Sequence, residues 1–488
     1  MSQPLRTFAL GNGRHPSFVQ HIPMATTFRN IRQAVAAALR GDEVDLTRIG
    51  VRRAIVLLSI PMVIELSMES LFAIVDVFFV GRIGTAAVAA VGLTEGVLIL
   101  LYSVAWGLSA GVTSVVARRT GEKNAEGAAQ AAGAALWIAL GISLLLSLPM
   151  LVFAEDVLLI MGASEEVLRE GGTYARILFG GNLVILFLFV NNAIFRGAGN
   201  AAMAMRSLMV SNAINIVLDP LFIFGLGPFP EMGLTGAAVA TTIGRGTGIC
   251  YQLYHLFHGS RGFRILRHHL RFALSVTTTI LRVSAGGMGQ MLIASASWLF
   301  MIRIVAEFGD EVVAGYTIAV RIMIFSLLPS WGVANAAATL VGQNLGADAP
   351  DRAARSAWLC GHYNALYMVV VALVFWVLAP ALIGLFTVDA DVVRHGVDTL
   401  RIGCLGYAFF GYGMVLSQAF NGAGDTLTPT WMNVICFWMI EIPLGWSLAK
   451  VFGWGSQGVF AAIAISESCL AFLSMYLFRK GKWKLAKV

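Results

Sequence analysis

The sequence predicts an all-α integral membrane protein with twelve transmembrane helices, arranged as two six-helix lobes that are related by a parallel internal repeat. Composition is the first reason: the 488 residues are 58% hydrophobic and 12% charged, with a mean hydropathy of +0.77. So few charges cannot cover a water-soluble globule of this length. The second reason is that the chain matches itself without a gap at an offset of 225, with residues 59 to 245 aligning with residues 284 to 470.

The two halves match at several glycines and along one five-residue segment. Chance agreement at such positions is rare. The matched positions are Gly84 with Gly309, Gly121 with Gly346, Gly181 with Gly406, and residues 195 to 199 with residues 420 to 424. Internal repeats of this size are typical of secondary transporters, whose halves move about a shared site near the membrane midplane. Six helices in each half make both halves enter the membrane in the same direction, which predicts a parallel repeat.

Hydrophobic stretches of about 20 residues, the length needed to cross a bilayer, define the predicted elements. They begin near residues 54, 88, 128, 172, 205 and 234, and the second six begin 225 residues later. Their hydrophobicity is continuous and does not alternate, which favours helices over a β-barrel. The predicted organisation is a cytoplasmic arm (1–50), a first lobe (51–258), a basic cytoplasmic linker (259–275), a second lobe (276–479) and a basic cytoplasmic tail (480–488).

Basic residues predict the orientation, since short cytoplasmic loops collect them. Most of the 34 lysines and arginines fall in the arm, linker and tail and in the loops on the same side. Both termini are therefore expected in the cytoplasm and the protein in the cell inner (plasma) membrane. The net charge of +7 then reflects topology and anionic lipid headgroups, and no nucleic acid partner is predicted.

The arm contains a possible interfacial helix, with an apolar face of Phe28, Ile31, Val35 and Leu39 and with Arg29, Arg32 and Arg40 elsewhere; a poorly ordered arm is the alternative. The five cysteines lack paired spacing, so neither a disulfide framework nor a zinc site is expected. His268 and His269 in the linker are interpreted as a solvated surface pair. No cofactor is predicted, and no metal beyond a transported Na⁺.

Ionisable side chains inside predicted spans are costly, which makes each one a functional candidate. The repeat supplies an internal control, because a residue needed only to fold such a helix should often be polar in both copies. The polar residues of the first half and their counterparts are Asp76 and Met301, Glu69 and Ala294, Asn215 and Ile440, Asp219 and Leu444, Asn192 and Ser417, and Thr241 and Ser466. The polar group is thus confined to the first half, whose intramembrane part is expected to be acidic.

Helical geometry brings several of these residues together. At 100° per residue, Glu65, Glu69 and Asp76 lie on one stripe of the first predicted helix, a stripe that cannot face lipid. Asn215 and Asp219 are four residues apart and share a face of the fifth helix. Carboxylate and amide oxygens suit a proton or Na⁺, and competition between coupling ion and substrate would follow. The alternative is that these groups only bond helices to one another.

Three further features of the sequence have no single interpretation. Pro61 lies one turn before Glu65 and permits a bend that would move Asp76; a static kink is the alternative. Tryptophans of the second half, such as Trp298, could bind flat cations through their ring faces, although an interfacial belt explains most of them. The scattered ionisable residues Glu95, Arg321, Glu441 and Glu467 receive no role.

Four stretches resemble the multidrug and toxic compound extrusion (MATE) transporters, and the resemblance covers nearly everything after residue 50. They are residues 75 to 84 (VDVFFVGRIG), 196 to 199 (RGAG), 215 to 225 (NIVLDPLFIFG) and 236 to 241 (GAAVAT). The resemblance implies a V-shaped bundle that is not an enzyme. It also implies that the chain, as a monomer, exports amphipathic, usually cationic small molecules in exchange for H⁺ or Na⁺ by alternating access.

Some MATE members place the cation site in the first lobe, and the resemblance to them implies a coupling set of Asp76, Asn192, Asn215, Asp219 and Thr241. Glu65 and Glu69 are not part of the general family signature, and together with Gln290 they are possible cavity or substrate residues. Members with a second-lobe cation site carry carboxylates in helices 7 and 10. Here helix 7 offers Gln290 and helix 10 offers no interior carboxylate, which favours the first-lobe site.

Other functions are less well supported by the sequence. A lipid-linked saccharide flippase of the same superfamily would prefer a strongly cationic cavity. A membrane-embedded enzyme would need a metal or phosphate motif in a cytoplasmic loop, and the sequence has no such cluster. A non-transporting receptor is disfavoured because no soluble domain is evident, although the arm keeps this alternative open. The exported compound, and the choice between H⁺ and Na⁺, are not determined by the sequence.

Overall fold

Twelve helical spans follow one another in the computed structural model, which describes residues 33–41, 44–259, 264–486 and 488. The first lobe consists of α1 (Val51–Val80), α2 (Thr85–Gly121), α3 (Ala125–Ile160), the bent span α4 (Glu165–Gly180 and Asn182–Gly197), α5 (Ala201–Ile223) and α6 (Gly233–His258). The second lobe consists of α7 (Leu274–Ala306), α8 (Asp310–Gly346), α9 (Pro350–Gly384), the bent span α10 (Ala390–Cys404 and Tyr407–Ala423), α11 (Leu427–Val451) and α12 (Ser456–Lys480). The predicted all-α, two-lobe fold is confirmed.

Ten of the twelve spans are long and apolar enough to cross a membrane when each bent pair is taken as one span. The other two, α1 and α6, lie in the same bundle and carry buried ionisable side chains, including Asp76 and Arg245. The bends of α4 and α10 measure 41° and 58°. They occur at Gly181 and beside Gly406, two glycines that coincide in the repeat, so equivalent residues break equivalent helices.

The two lobes meet along α1, α2, α7 and α8, where glycines permit close approach. A methyl group on Gly107 of α2 would lie 2.2 Å from the backbone nitrogen of Met288 in α7. A methyl group on Gly332 of α8 would lie 2.7 Å from the backbone nitrogen of Val63 in α1. These two contacts are related by the 225-residue repeat, so a pseudo-two-fold axis runs between the lobes, as a parallel repeat requires.

The lobes also touch at one end of the bundle, the termini end, where the described part of the arm and the C-terminal tail lie. A methyl group on Gly121 would lie 2.0 Å from the carbonyl oxygen of Gln343, and one on Gly346 would lie 2.1 Å from that of Arg118. The tail adds a contact across the lobes, because the Arg118 guanidinium donates to the Ala486 carbonyl at 3.2 Å. The termini end of the bundle is therefore closed in this conformation.

Part of the arm is docked on protein. Residues 33–40 are helical, whereas Phe28, Arg29, Ile31 and Arg32 lie outside the described residues. Ala38 is buried, and Arg206 of α5 donates to the carbonyl oxygens of Leu39 and Arg40 at 3.0 and 2.7 Å. Further along, Arg352 of α9 donates to the carbonyl oxygen of Leu46 at 2.9 Å. The arm thus contacts both lobes.

The linker packs against α3. His268 and His269 each place Nε2 2.9 Å from a Glu126 carboxylate oxygen. His269 is buried, contrary to the predicted solvated pair, since the α3 surface covers it. Its Nδ1 accepts a hydrogen bond from the Leu266 backbone N–H, so the neutral ring carries its proton on Nε2. Although the spacing of the three side chains could suit a metal, this tautomer favours a hydrogen bond to Glu126.

Candidate functional site

Asp76 lines a cavity inside the first lobe. This first-lobe cavity has a volume of about 280 Å³ and is walled by α1, α2, α4 and α6. Only 8% of Asp76 is exposed, and its Oδ1 is buried without a hydrogen-bond partner among the described residues. Thr241 of α6 and Glu95 of α2 line the same cavity. Two members of the predicted coupling set, Asp76 and Thr241, therefore share one chamber.

Asn215 and Asp219 lie on α5, and neither is among the residues that line this chamber. The Asn215 amide donates to Asp219 Oδ1 at 3.0 Å, and both residues are fully buried. Asp219 lies within electrostatic range of Asp76. The second carboxylate oxygen of Asp219 and the amide oxygen of Asn215 have no donor in the described part of the chain. Buried acceptors normally have a partner, so each of these atoms, like Asp76 Oδ1, is suited to a proton or a small cation.

Asn192, predicted as part of the same set, lies elsewhere. Its amide nitrogen donates to Glu65 Oε1 at 3.0 Å, and its amide oxygen accepts a hydrogen bond from Gln252. Arg196, one turn further along α4, also contacts Glu65 Oε1, at 3.2 Å. The structure therefore separates Asn192 from Asp76, because the polar face of α4 points towards the space between the lobes.

That space is the central cavity, a pocket of about 90 Å³ lined by both lobes. Its walls include Glu65 and Glu69 from α1 and Gln290 from α7, the three residues predicted as cavity or substrate residues. Gln290 donates to the side chain of Asn421 at 2.9 Å. Trp106 of α2 and its repeat counterpart Trp331 also line the cavity, with ring centroids 4.5 Å apart. The central cavity thus combines carboxylates with aromatic rings contributed by both lobes.

Two buried arginines partly neutralise the acidic intramembrane part of the first lobe. Arg245 of α6 donates to Glu69 Oε1 at 2.9 Å and to the Tyr102 hydroxyl at 3.1 Å. Arg196 and Glu65 form the second pair. Sequence reasoning missed both arginines, although a basic residue inside an apolar span is a usable signal. Each arginine faces a glutamate, which leaves Asp76 as a carboxylate without a salt bridge among the described residues.

Pro61 lies inside a continuous helix. The helix runs unbroken from Val51 to Val80, and Pro61 is buried within it. Nearby, α8 approaches α1 closely at Val63, where Gly332 has no side chain to obstruct the contact. The movement of Asp76 through a bend at Pro61 stays a prediction.

Comparisons with known proteins agree with this architecture. Residues 61–221 and 288–447 match the MatE family model, one stretch in each lobe. The chain is 25% identical over 444 residues to the probable multidrug resistance protein YoeA of Bacillus subtilis, covering 89% of this chain and 95% of that protein. It is 26% identical over 439 residues to the probable multidrug resistance protein NorM of Thermotoga maritima, covering 89% and 93%.

A solved structure is similar over both lobes. It is that of a MOP superfamily transporter from Pyrococcus furiosus, for which the reverse polarity of the binding pocket suggests a different function. The two chains superpose with a TM-score of 0.86 at 26% identity, covering 91% of this chain and 99% of that one. The similarity therefore extends over both lobes, which contain the first-lobe cavity, the Asn215–Asp219 pair and the central cavity.

Proposed function

Because the chain belongs to the MatE family of multidrug efflux transporters, we propose that it exports amphipathic, cationic compounds by cation-coupled antiport and alternating access. It is a multi-pass membrane protein. The proposal places it in the inner membrane with both termini in the cytoplasm and with H⁺ or Na⁺ as the coupling ion. Since the relatives are transporters, no residue is assigned a catalytic role.

The observation that carries the proposal is the set of unpartnered oxygens on Asp76, Asp219 and Asn215. An ionised carboxylate buried without a partner is strongly unfavourable. A proton or a sodium ion would supply the missing partner, and hard oxygen ligands suit either. Two buried carboxylates within electrostatic range of each other also disfavour the ion-free, doubly charged state, which would drive cation uptake.

Helix α1 links the proposed ion site to the central cavity. Asp76 lines the first-lobe cavity, Glu65 on the same helix lines the central cavity, and Glu69 between them lines both. Cation binding at Asp76 would favour a position of α1 nearer α5 and α6, and this would change the central cavity. A membrane potential of 100 mV supplies about 2.3 kcal/mol per charge moved, which sustains a gradient of roughly fiftyfold.

The buried arginines bear on the alternative of a lipid-linked saccharide flippase, which would require a strongly cationic cavity. Arg196 and Arg245 lie in the cavity walls, but Glu65 and Glu69 neutralise them. Asp76 then leaves the first lobe with excess acid. The charge balance favours export of organic cations over transport of anionic lipid-linked saccharides.

The direct test is ethidium efflux from proteoliposomes under separately imposed proton and sodium gradients. The Asp76→Asn variant is expected to lose efflux driven by the coupling ion, because the amide can neither take up a proton nor neutralise a cation. Asp156→Asn is the matched control, since Asp156 is exposed at the end of α3. Undiminished ion-driven efflux by Asp76→Asn would refute the assignment. Comparison of the two gradients identifies the coupling ion.

A further inference from the structure

The second lobe contains its own cavity at the position equivalent to the first-lobe cavity. This second-lobe cavity has a volume of about 270 Å³ and is lined by α7, α8, α10, α11 and α12. Residues that line the two cavities coincide in the repeat: Ala73 with Trp298, Glu95 with Val320, Ile185 with Phe410, and Thr242 with Glu467. The duplicated fold therefore builds the same chamber twice, with different side chains in each copy.

Two carboxylates reach the second-lobe cavity from neighbouring helices. Glu441 of α11 is 7% exposed, and its Oε2 accepts a hydrogen bond from Ser466 at 3.1 Å. Glu467 of α12 also lines the cavity, and its Oε2 is buried with no hydrogen-bond partner among the described residues. Neither carboxylate forms a salt bridge with a described basic residue. The buried hydroxyl of Tyr407, another lining residue, likewise has no partner in the part of the chain that the structure describes. The chamber thus presents uncompensated acceptors.

Aromatic rings form much of the remaining wall. The Trp298 indole donates to the Tyr316 hydroxyl at 2.8 Å, and the Tyr316 ring stacks on Phe460 with centroids 5.7 Å apart. These contacts fix the rings and satisfy the indole N–H, so that ring faces remain available for a ligand. Cations bind favourably over such faces, and more strongly when water is excluded. The backbone of α11 is π-helical over Val434–Glu441, and π-helical segments are frequent at functional sites.

We propose that the second-lobe cavity binds an organic monocation with a planar aromatic part, at a site separate from the central cavity and from Asp76. The two carboxylates supply the charge that such a cation needs, and the rings supply stacking surface. An inorganic cation would satisfy the carboxylates but would leave the aromatic wall without a function. A neutral aromatic ligand would supply no positive charge to either carboxylate. The assignment specifies the substrate class of the proposed exporter, and in that respect it rests on the proposed function.

Equilibrium binding of ethidium to the detergent-purified protein tests this site without any ion gradient. The double variant Glu441→Gln/Glu467→Gln is expected to weaken ethidium binding by about tenfold or more, a change that corresponds to roughly 1.4 kcal/mol. Uncharged phenanthridine, which shares the aromatic core, should bind both proteins equally. The matched control is Glu307→Gln/Glu311→Gln, which removes two second-lobe carboxylates that do not line the cavity.

The outcomes separate charge recognition from other effects. Ethidium affinity within twofold of wild type in the double variant would overturn the proposal. Equal loss of ethidium and phenanthridine would also overturn it, because that result indicates altered packing. Glu467→Gln alone provides a second variant that keeps the Glu441–Ser466 hydrogen bond; it should show the same charge-selective loss to a smaller extent. Since no ion gradient is present, the result does not depend on whether Asp76 couples transport.

Discussion

At the residue scale, the first lobe contains both paired and unpaired buried charges. Glu65 and Asp76 could be predicted as costly residues from their positions in an apolar helix. The partner of Glu65 could not be predicted, because Arg196 lies on a different helix, α4, and reaches Glu65 only in the folded bundle. The same limit applies to Asn192. The family resemblance grouped this residue with Asp76, whereas in the structure its amide donates a hydrogen bond to Glu65.

The buried Arg196–Glu65 pair leads to a stability prediction. Replacing one partner of such a pair leaves an uncompensated charge, which typically costs about 3 to 5 kcal/mol. Arg196→Met should therefore lower the free energy of unfolding in detergent by an amount of this order. The double variant Glu65→Gln/Arg196→Met should recover most of the loss, because it removes both charges. A double variant as unstable as Arg196→Met alone would show that the arginine acts by packing only.

Among the helices, the internal repeat predicted positions and lengths well, because a helix in one half indicates the length of its counterpart in the other half. Both α2 and α8 contain 37 residues, and the matched glycines Gly181 and Gly406 mark both bends. The sequence did not predict the angles of these bends. They depend on which neighbouring helix supports the freed backbone, and that is a property of packing rather than of local sequence.

Close glycine contacts between the lobes give the prediction at this scale. Gly121→Ala would place a methyl group 2.0 Å from the Gln343 carbonyl oxygen, so the termini end of the bundle must open or distort. The midpoint of thermal unfolding in detergent should fall. Gly141→Ala on α3 is the matched control, since nothing lies within 4 Å of the added methyl group and alanine is favoured in helices by about 1 kcal/mol. Equal midpoints for the two variants would contradict the close contact between lobes.

At the scale of the whole molecule, duplication has produced two equivalent chambers with different chemistry. The first-lobe cavity is lined by Asp76, Glu95 and Thr241, and the second-lobe cavity combines Glu441 and Glu467 with aromatic rings. Sequence comparison indicated that the polar group was confined to the first half. It left Glu441 and Glu467 without a role because they are not counterparts of first-lobe acids. They converge only once α11 packs on α12.

We propose that the first-lobe carboxylates couple the ion gradient to transport without being needed for substrate movement itself. Two activities of Asp76→Asn/Asp219→Asn in proteoliposomes test this: ethidium exchange across the membrane at equal concentrations, and ethidium export driven by an imposed ion gradient. Exchange should persist while ion-driven export is lost. Ion-driven export that persists at the wild-type rate would contradict it.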